Sequence, residues 1–175
     1  DAGLFQEKDY LFLNRHLDFK ATNFEHIFIT HNHSDHVGML PNLVKNNFNG
    51  TIHTTSKTRS LLPISLFDSA KIEKKYSYCS KLSPLYTSED VLNTLQMITG
   101  HEFEESFKIN DNVTATFFEN GHLLGAALTL ISAKFGEEEL NILFTGDYNN
   151  HNFFFTPKKL PSTVRNLDNL IIVQE

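Results

Sequence analysis

The 175-residue sequence predicts a layered α+β domain, and three observations carry that prediction. Apolar residues recur at helical spacing through much of the first half, short β-branched and aromatic runs separated by turn residues fill the second, and 40% hydrophobic with 21% charged residues is an ordinary globular balance. Sheets covered by helices follow from that order.

The elements read as follows along the chain. "HIFIT" (26–30) is a short strand, and "GMLPNLVKNN" after it has a helix-like spacing of Met39, Leu43 and Val44. "TIHTT" (51–55) is a second strand, followed by a helical stretch over 56–79 that Pro63 breaks or kinks. In "TSEDVLNTLQMITG" (87–100), Thr87 or Ser88 caps a helix with acids in its first turn, Val91, Leu92, Leu95 and Ile98 on its apolar face and Gly100 as its stop. Strands then run through "SFKIN", "VTATFFE", "AALTLIS", "LNILFTG" and "LIIV", broken by turns such as "NDN" and "KFGEEE".

Bulk properties narrow the function. The net charge of −6 lacks the basic footprint of a nucleic-acid binder, and Lys71, Lys74 and Lys75, like Lys158 and Lys159, read equally as solvated faces or as phosphate contacts. The single cysteine, Cys79, excludes an internal disulfide and a paired-thiolate zinc site, and it reads as a small buried apolar residue. No run approaches the roughly 20 apolar residues of a membrane span, and the first residues lack a signal-peptide pattern, so the default location is cytoplasmic with no membrane partner. Asp1 is not a methionine and "NLIIVQE" reads as a buried strand, so the chain is taken as a fragment of a longer protein.

Chemistry is concentrated in "HNHSDH". His31 and His33 are two apart, and on extended backbone their side chains leave on one face, close enough to grip one ion. Asp35 and His36 follow where the chain turns toward a helix, which can aim them at a second ion. Imidazole and carboxylate without thiolate suit Zn²⁺, with Mn²⁺ or Fe as alternatives. His122, between glycines in "ENGHLLGAA", and Asp147, after a strand in "LFTGDY", add ligands at strand ends. A carboxylate so placed can give one oxygen to each metal. His16, His26, His53, His101 and His151 read as surface or satisfied structural residues.

Taken together, His31, His33, Asp35, His36, His122 and Asp147, with Asp1 in "DAG" ahead of them, resemble the motif series of the metallo-β-lactamase fold. "GHLLGAA", "FTGDY" and "IIVQE" are similar to motifs of its β-CASP nuclease branch, and "PLYTSEDVLNTLQ" is similar to bacterial and archaeal relatives of the polyadenylation-factor endonuclease. The resemblance implies a four-layer αββα sandwich, with residues 1–175 forming the N-terminal portion up to the point where a β-CASP domain would be inserted. It implies two Zn²⁺: His31, His33 and His122 on one, Asp35 and His36 on the other, Asp147 bridging. Asp1 would orient the histidine loop, and Glu175 would match the acidic residue that pairs with a histidine elsewhere in the family. Asp35, Glu175 and Asp1 are thus the candidate catalytic positions.

The implied reaction is phosphodiester hydrolysis of RNA by a bridging hydroxide, with RNA contacted largely by the absent β-CASP domain and a homodimer as a possible assembly. Asn120 stands where the family commonly has a small residue, and Asn149 and Asn150 where it usually has an Arg. Two other readings stay open: a thioesterase- or lactonase-type hydrolase of the same fold, and a non-catalytic partner-binding relative.

Overall fold

The computed structural model describes residues 1–149 and 159–174. Asn150, His151, Lys158 and Glu175 lie outside the described residues. After two 3-10 segments, Lys8–Arg15 and Ala21–Asn23, come β1 (His26–Phe28), α1 (Ser34–Val37), α2 (Leu40–Lys45), β2 (Thr51–Thr55), α3 (Ser56–Ser80) and α4 (Ser88–Gln96). Then follow β3 (Ile98–His101), β4 (Ser106–Lys108), β5 (Val113–Glu119), β6 (Ala127–Phe135), β7 (Glu138–Phe144), α5 (Ser162–Arg165) and β8 (Leu170–Val173).

β1, β2 and β3 form a parallel sheet in that order, and the second sheet runs β4-β5-β6-β7-β8, with only β8 parallel to its neighbour. Side chains alternate across a strand, so Ile27, Ile52 and Ile98 stand in one register row facing the helices. There they join Leu40 and Leu43 of α2, Leu62, Leu66 and Ala70 of α3, and Val91 of α4 in the larger core. The four-residue spacing in α3 is what keeps its apolar stripe on that core. The opposite face of the first sheet carries His53 and His101, which stack on Phe107 of β4. On the outer face of the second sheet, Phe118, Leu130 and Leu143 pack with Val164 of α5. The layers are therefore α, β, β, α.

Five expectations need correction. Pro63 does not break α3, which is continuous from Ser56 to Ser80. Proline costs the helix the bond to one carbonyl four residues back, that of Arg59, which is solvent-exposed, while Leu62 and Leu66 hold both flanking turns in the core. The fourth helix ends at Gln96 rather than Gly100. Ile98 and Gly100 instead pair with β2, because the backbone groups of Ile52–Thr55 offer a parallel ladder and Ile98 completes the isoleucine row. The first strand stops at Phe28, short of Thr30, where the chain turns toward the histidine cluster. β8 is a strand but not a buried one, since among the described residues it pairs only with β7 and leaves Ile171 and Ile172 50% and 59% exposed. Cys79 is exposed near the end of α3, beyond the reach of the core stripe.

Candidate metal centre

His31, His33, His122 and Asp147 each sit past the end of a strand. His31 and His33 follow β1, with His33 capping the extended chain into α1; His36 lies within α1; His122 is in the turn between β5 and β6; Asp147 follows β7. The first residues of the chain run beside this loop, with Ala2 N–H donating to the His36 carbonyl at 2.7 Å and Leu4 N–H to that of Ser34 at 3.0 Å. Gly3 is required for this approach: a Cβ there would lie 1.5 Å from the Asp35 carbonyl oxygen.

His31 Nε2, His33 Nδ1, His122 Nε2 and an Asp147 carboxylate oxygen converge within 4.8 Å of one another. His31 Nε2 is 2.9 Å from His33 Nδ1, and His122 Nε2 is 3.3 Å from the same atom. Asp147 faces two ways. Its Oδ2 lies 3.7 Å from His31 Nε2 and 3.6 Å from His122 Nε2, while its Oδ1 lies 3.8 Å from His36 Nε2. Asp35 is exposed in the first turn of α1 and stands outside the converging four, although its charge acts on His122. Asp1 Oδ2 accepts from His36 Nδ1–H at 2.8 Å.

Burial pushes the His31 pKa down to about 3, helped by the neighbouring His36, His33 and His122 imidazoles. Burial also lowers that of His122, against the upward pull of Asp147. Both imidazoles are accordingly neutral near pH 7, the form that offers a lone pair to a metal. Three imidazole nitrogens and a carboxylate oxygen facing one another, with no thiolate, fit a divalent ion of the zinc type.

Asn120, read from sequence as a departure from the family pattern, is 3% exposed and ties the two ligand loops together. Its Oδ1 accepts from His122 N–H at 3.1 Å, and its Nδ2 donates to the Thr145 and Asp147 carbonyls at 3.3 and 2.9 Å. No sequence spacing signals the link, because the two carbonyls it joins to the His122 turn lie 25 and 27 residues away.

A profile described as the metallo-beta-lactamase superfamily matches residues 1–158. Endoribonuclease ysh1 of Aspergillus fumigatus is 34% identical over 150 residues, 85% of this chain and 17% of that protein. Transcription termination factor FttA of Methanosarcina mazei is 32% identical over 130 residues, 74% of this chain and 20% of its own. The solved Rm3 metallo-beta-lactamase shares the fold, with a TM-score of 0.54 at 15% identity over 99% of this chain and 65% of that one. The chain thus spans a fifth or less of the curated relatives it matches here. Among the described residues no helix is long and apolar enough to cross a membrane.

Proposed function

The chain belongs to the metallo-beta-lactamase superfamily, and on that premise we propose that it carries the metal-binding part of a phosphodiesterase that cleaves RNA at a dinuclear zinc centre. The observation that carries this reading is the Asp147 carboxylate, with one oxygen toward His31 and His122 and the other toward His36. His31, His33 and His122 would hold one ion with Asp147 Oδ2; His36 and Asp35 would hold the other with Asp147 Oδ1. Ions held there would supply hydroxide at neutral pH and would offset charge developing on phosphoryl oxygens.

The protein's own groups set up that chemistry. Burial keeps His31 neutral, Asp1 fixes the ring of His36, and Asn120 holds the loops of His122 and Asp147 at one separation. Carboxylate anchoring of a ligand imidazole orients the ring and raises its basicity. RNA is favoured as substrate by the "GHLLGAA" and "FTGDY" stretches and by relatives named as an endoribonuclease and a termination factor. We assign residues 1–175 to the N-terminal portion of the domain, with a β-CASP domain supplying most RNA contacts and Glu175 pairing with a histidine supplied from outside it. A cytoplasmic location belongs to the same proposal.

The test uses full-length, zinc-loaded protein and end-labelled single-stranded RNA. Wild type is expected to cut, and Asp147→Ala to lose both a zinc equivalent and more than about 100-fold in rate, since a ligand matters more than its supporting partners. Intact RNA with wild type, or equal cutting by Asp147→Ala, defeats the reading. Hydrolysis of a model thioester in place of RNA would move the assignment to small-molecule hydrolases.

A further inference from the structure

Thr30 precedes the first histidine of the cluster, is 4% exposed and belongs to none of the ligand positions. Its backbone N–H donates to Asp1 Oδ1 at 2.7 Å, and its hydroxyl donates to Asp1 Oδ2 at 2.6 Å. With that proton committed, Thr30 Oγ1 meets His31 Nδ1 at 3.1 Å with lone pairs only. The hydrogen bond between them therefore requires the proton on His31 Nδ1. Nε2 is left as the bare nitrogen, and Nε2 is the atom that faces His33 and Asp147. The same Asp1 Oδ2 accepts from His36 Nδ1–H. One carboxylate thus reaches an imidazole of each half-site: His36 directly, and His31 through a single hydroxyl.

Packing fixes that hydroxyl. Gly146, just ahead of Asp147, has φ +51°, and a Cβ on it would fall 2.7 Å from both Thr30 Cβ and Thr30 Oγ1. The Asp147 loop is therefore seated on the Thr30 side chain, and glycine is the residue that leaves room for it.

We propose that Thr30 is a positioning residue of the metal centre, its hydroxyl relaying the Asp1 carboxylate to His31 so that His31 Nε2 is presented as a lone pair to the ion. The inference rests on the two-metal reading above and not on the substrate.

Zinc affinity and stoichiometry of the full-length protein, measured by chelator competition, test it with Thr30→Val, Thr30→Ser and wild type. Thr30→Val keeps the backbone N–H to Asp1 and deletes only the hydroxyl link. It is expected to weaken one zinc equivalent about 10- to 100-fold and leave the other within about threefold, with Thr30→Ser restoring the loss, as for other partners of ligand imidazoles. The His31 tautomer, read by imidazole nitrogen NMR of the zinc-free protein, is expected to be Nδ1–H in wild type and Thr30→Ser and a mixture in Thr30→Val. If Thr30→Val does not fold, Thr30→Ala against Thr30→Ser carries the same comparison. Unchanged affinities in Thr30→Val, or equal losses in Thr30→Ser, overturn the proposal. Wild-type protein that holds no zinc overturns it together with the two-metal reading, whereas zinc bound without RNA cleavage removes only the substrate.

Discussion

Asn120 shows what a single side chain contributes when it joins a local turn to a loop distant in sequence. Three hydrogen bonds in a nearly dry setting connect the turn of His122 to the loop of Asp147. Truncation leaves a backbone N–H and two carbonyls without their partner, so Asn120→Ala is expected to cost about 1 to 3 kcal/mol. Urea denaturation of the two proteins measures this, and a difference within error would mean that solvent replaces the amide. The candidate residues His31, His33 and His36 were legible because their cluster is local: spacings of two and three along an extended segment and a short helix determine which of these rings can approach one another. Asn120 and Thr30 were not legible as parts of the centre, because their roles come from contacts with segments 25 or more residues away.

At the scale of elements, the parallel register of β1, β2 and β3 builds an imidazole ladder that no motif announces. His26 Nδ1 lies 3.0 Å from His53 Nε2, and His53 Nδ1 lies 3.0 Å from His101 Nε2, each donor being set by the tautomer. The ladder is sandwiched by Phe28 of β1 and Phe107 of β4. Burial, then the neighbouring His101 and His26, pushes the His53 pKa down to about 4, and burial lowers that of His101. The sign follows from linkage. An unfolded His53 takes up a proton near pH 6.5 while the folded one resists until about pH 4, so its contribution is complete above pH 6.5 and is lost as pH falls toward 4. In chelated protein, which removes competition between protons and metal, this residue is expected to take about 2 kcal/mol from stability between pH 7 and pH 5. Denaturation at both pH values should give a smaller difference for His53→Phe, and an equal difference would locate the acid sensitivity elsewhere. Helix α4 was legible through Thr87 or Ser88 followed by acids, a local signal, and the structure makes Thr87 the cap, in a capping box with Asp90. β3 was not, since Ile98 and Gly100 enter a strand through a ladder offered by β2.

For the molecule as a whole, the centre joins pieces that are far apart in the chain: the first residues, the end of β1, the β5–β6 turn and the end of β7. An ion held at the centre would stabilise only the folded state, by on the order of 4 kcal/mol at a thousandfold excess over its dissociation constant. Chelation of the full-length protein is expected to lower its melting temperature by several degrees, zinc to restore it, and Asp147→Ala to show a smaller response, all by calorimetry. A melting temperature indifferent to chelator would mean that no ion of this kind is bound. The sequence by itself determined the fold class, the start of α4 and the candidate histidine cluster, because periodicity and close spacing are properties of a few consecutive residues. Only the tertiary structure decided that Asp147 turns one oxygen toward His31 and His122 and the other toward His36, that α3 runs unbroken through Pro63, and that Thr30, Asn120 and the imidazole ladder take the places they do. Those depend on which distant strands and turns share a register, and the core packing of the assembled layers selects that.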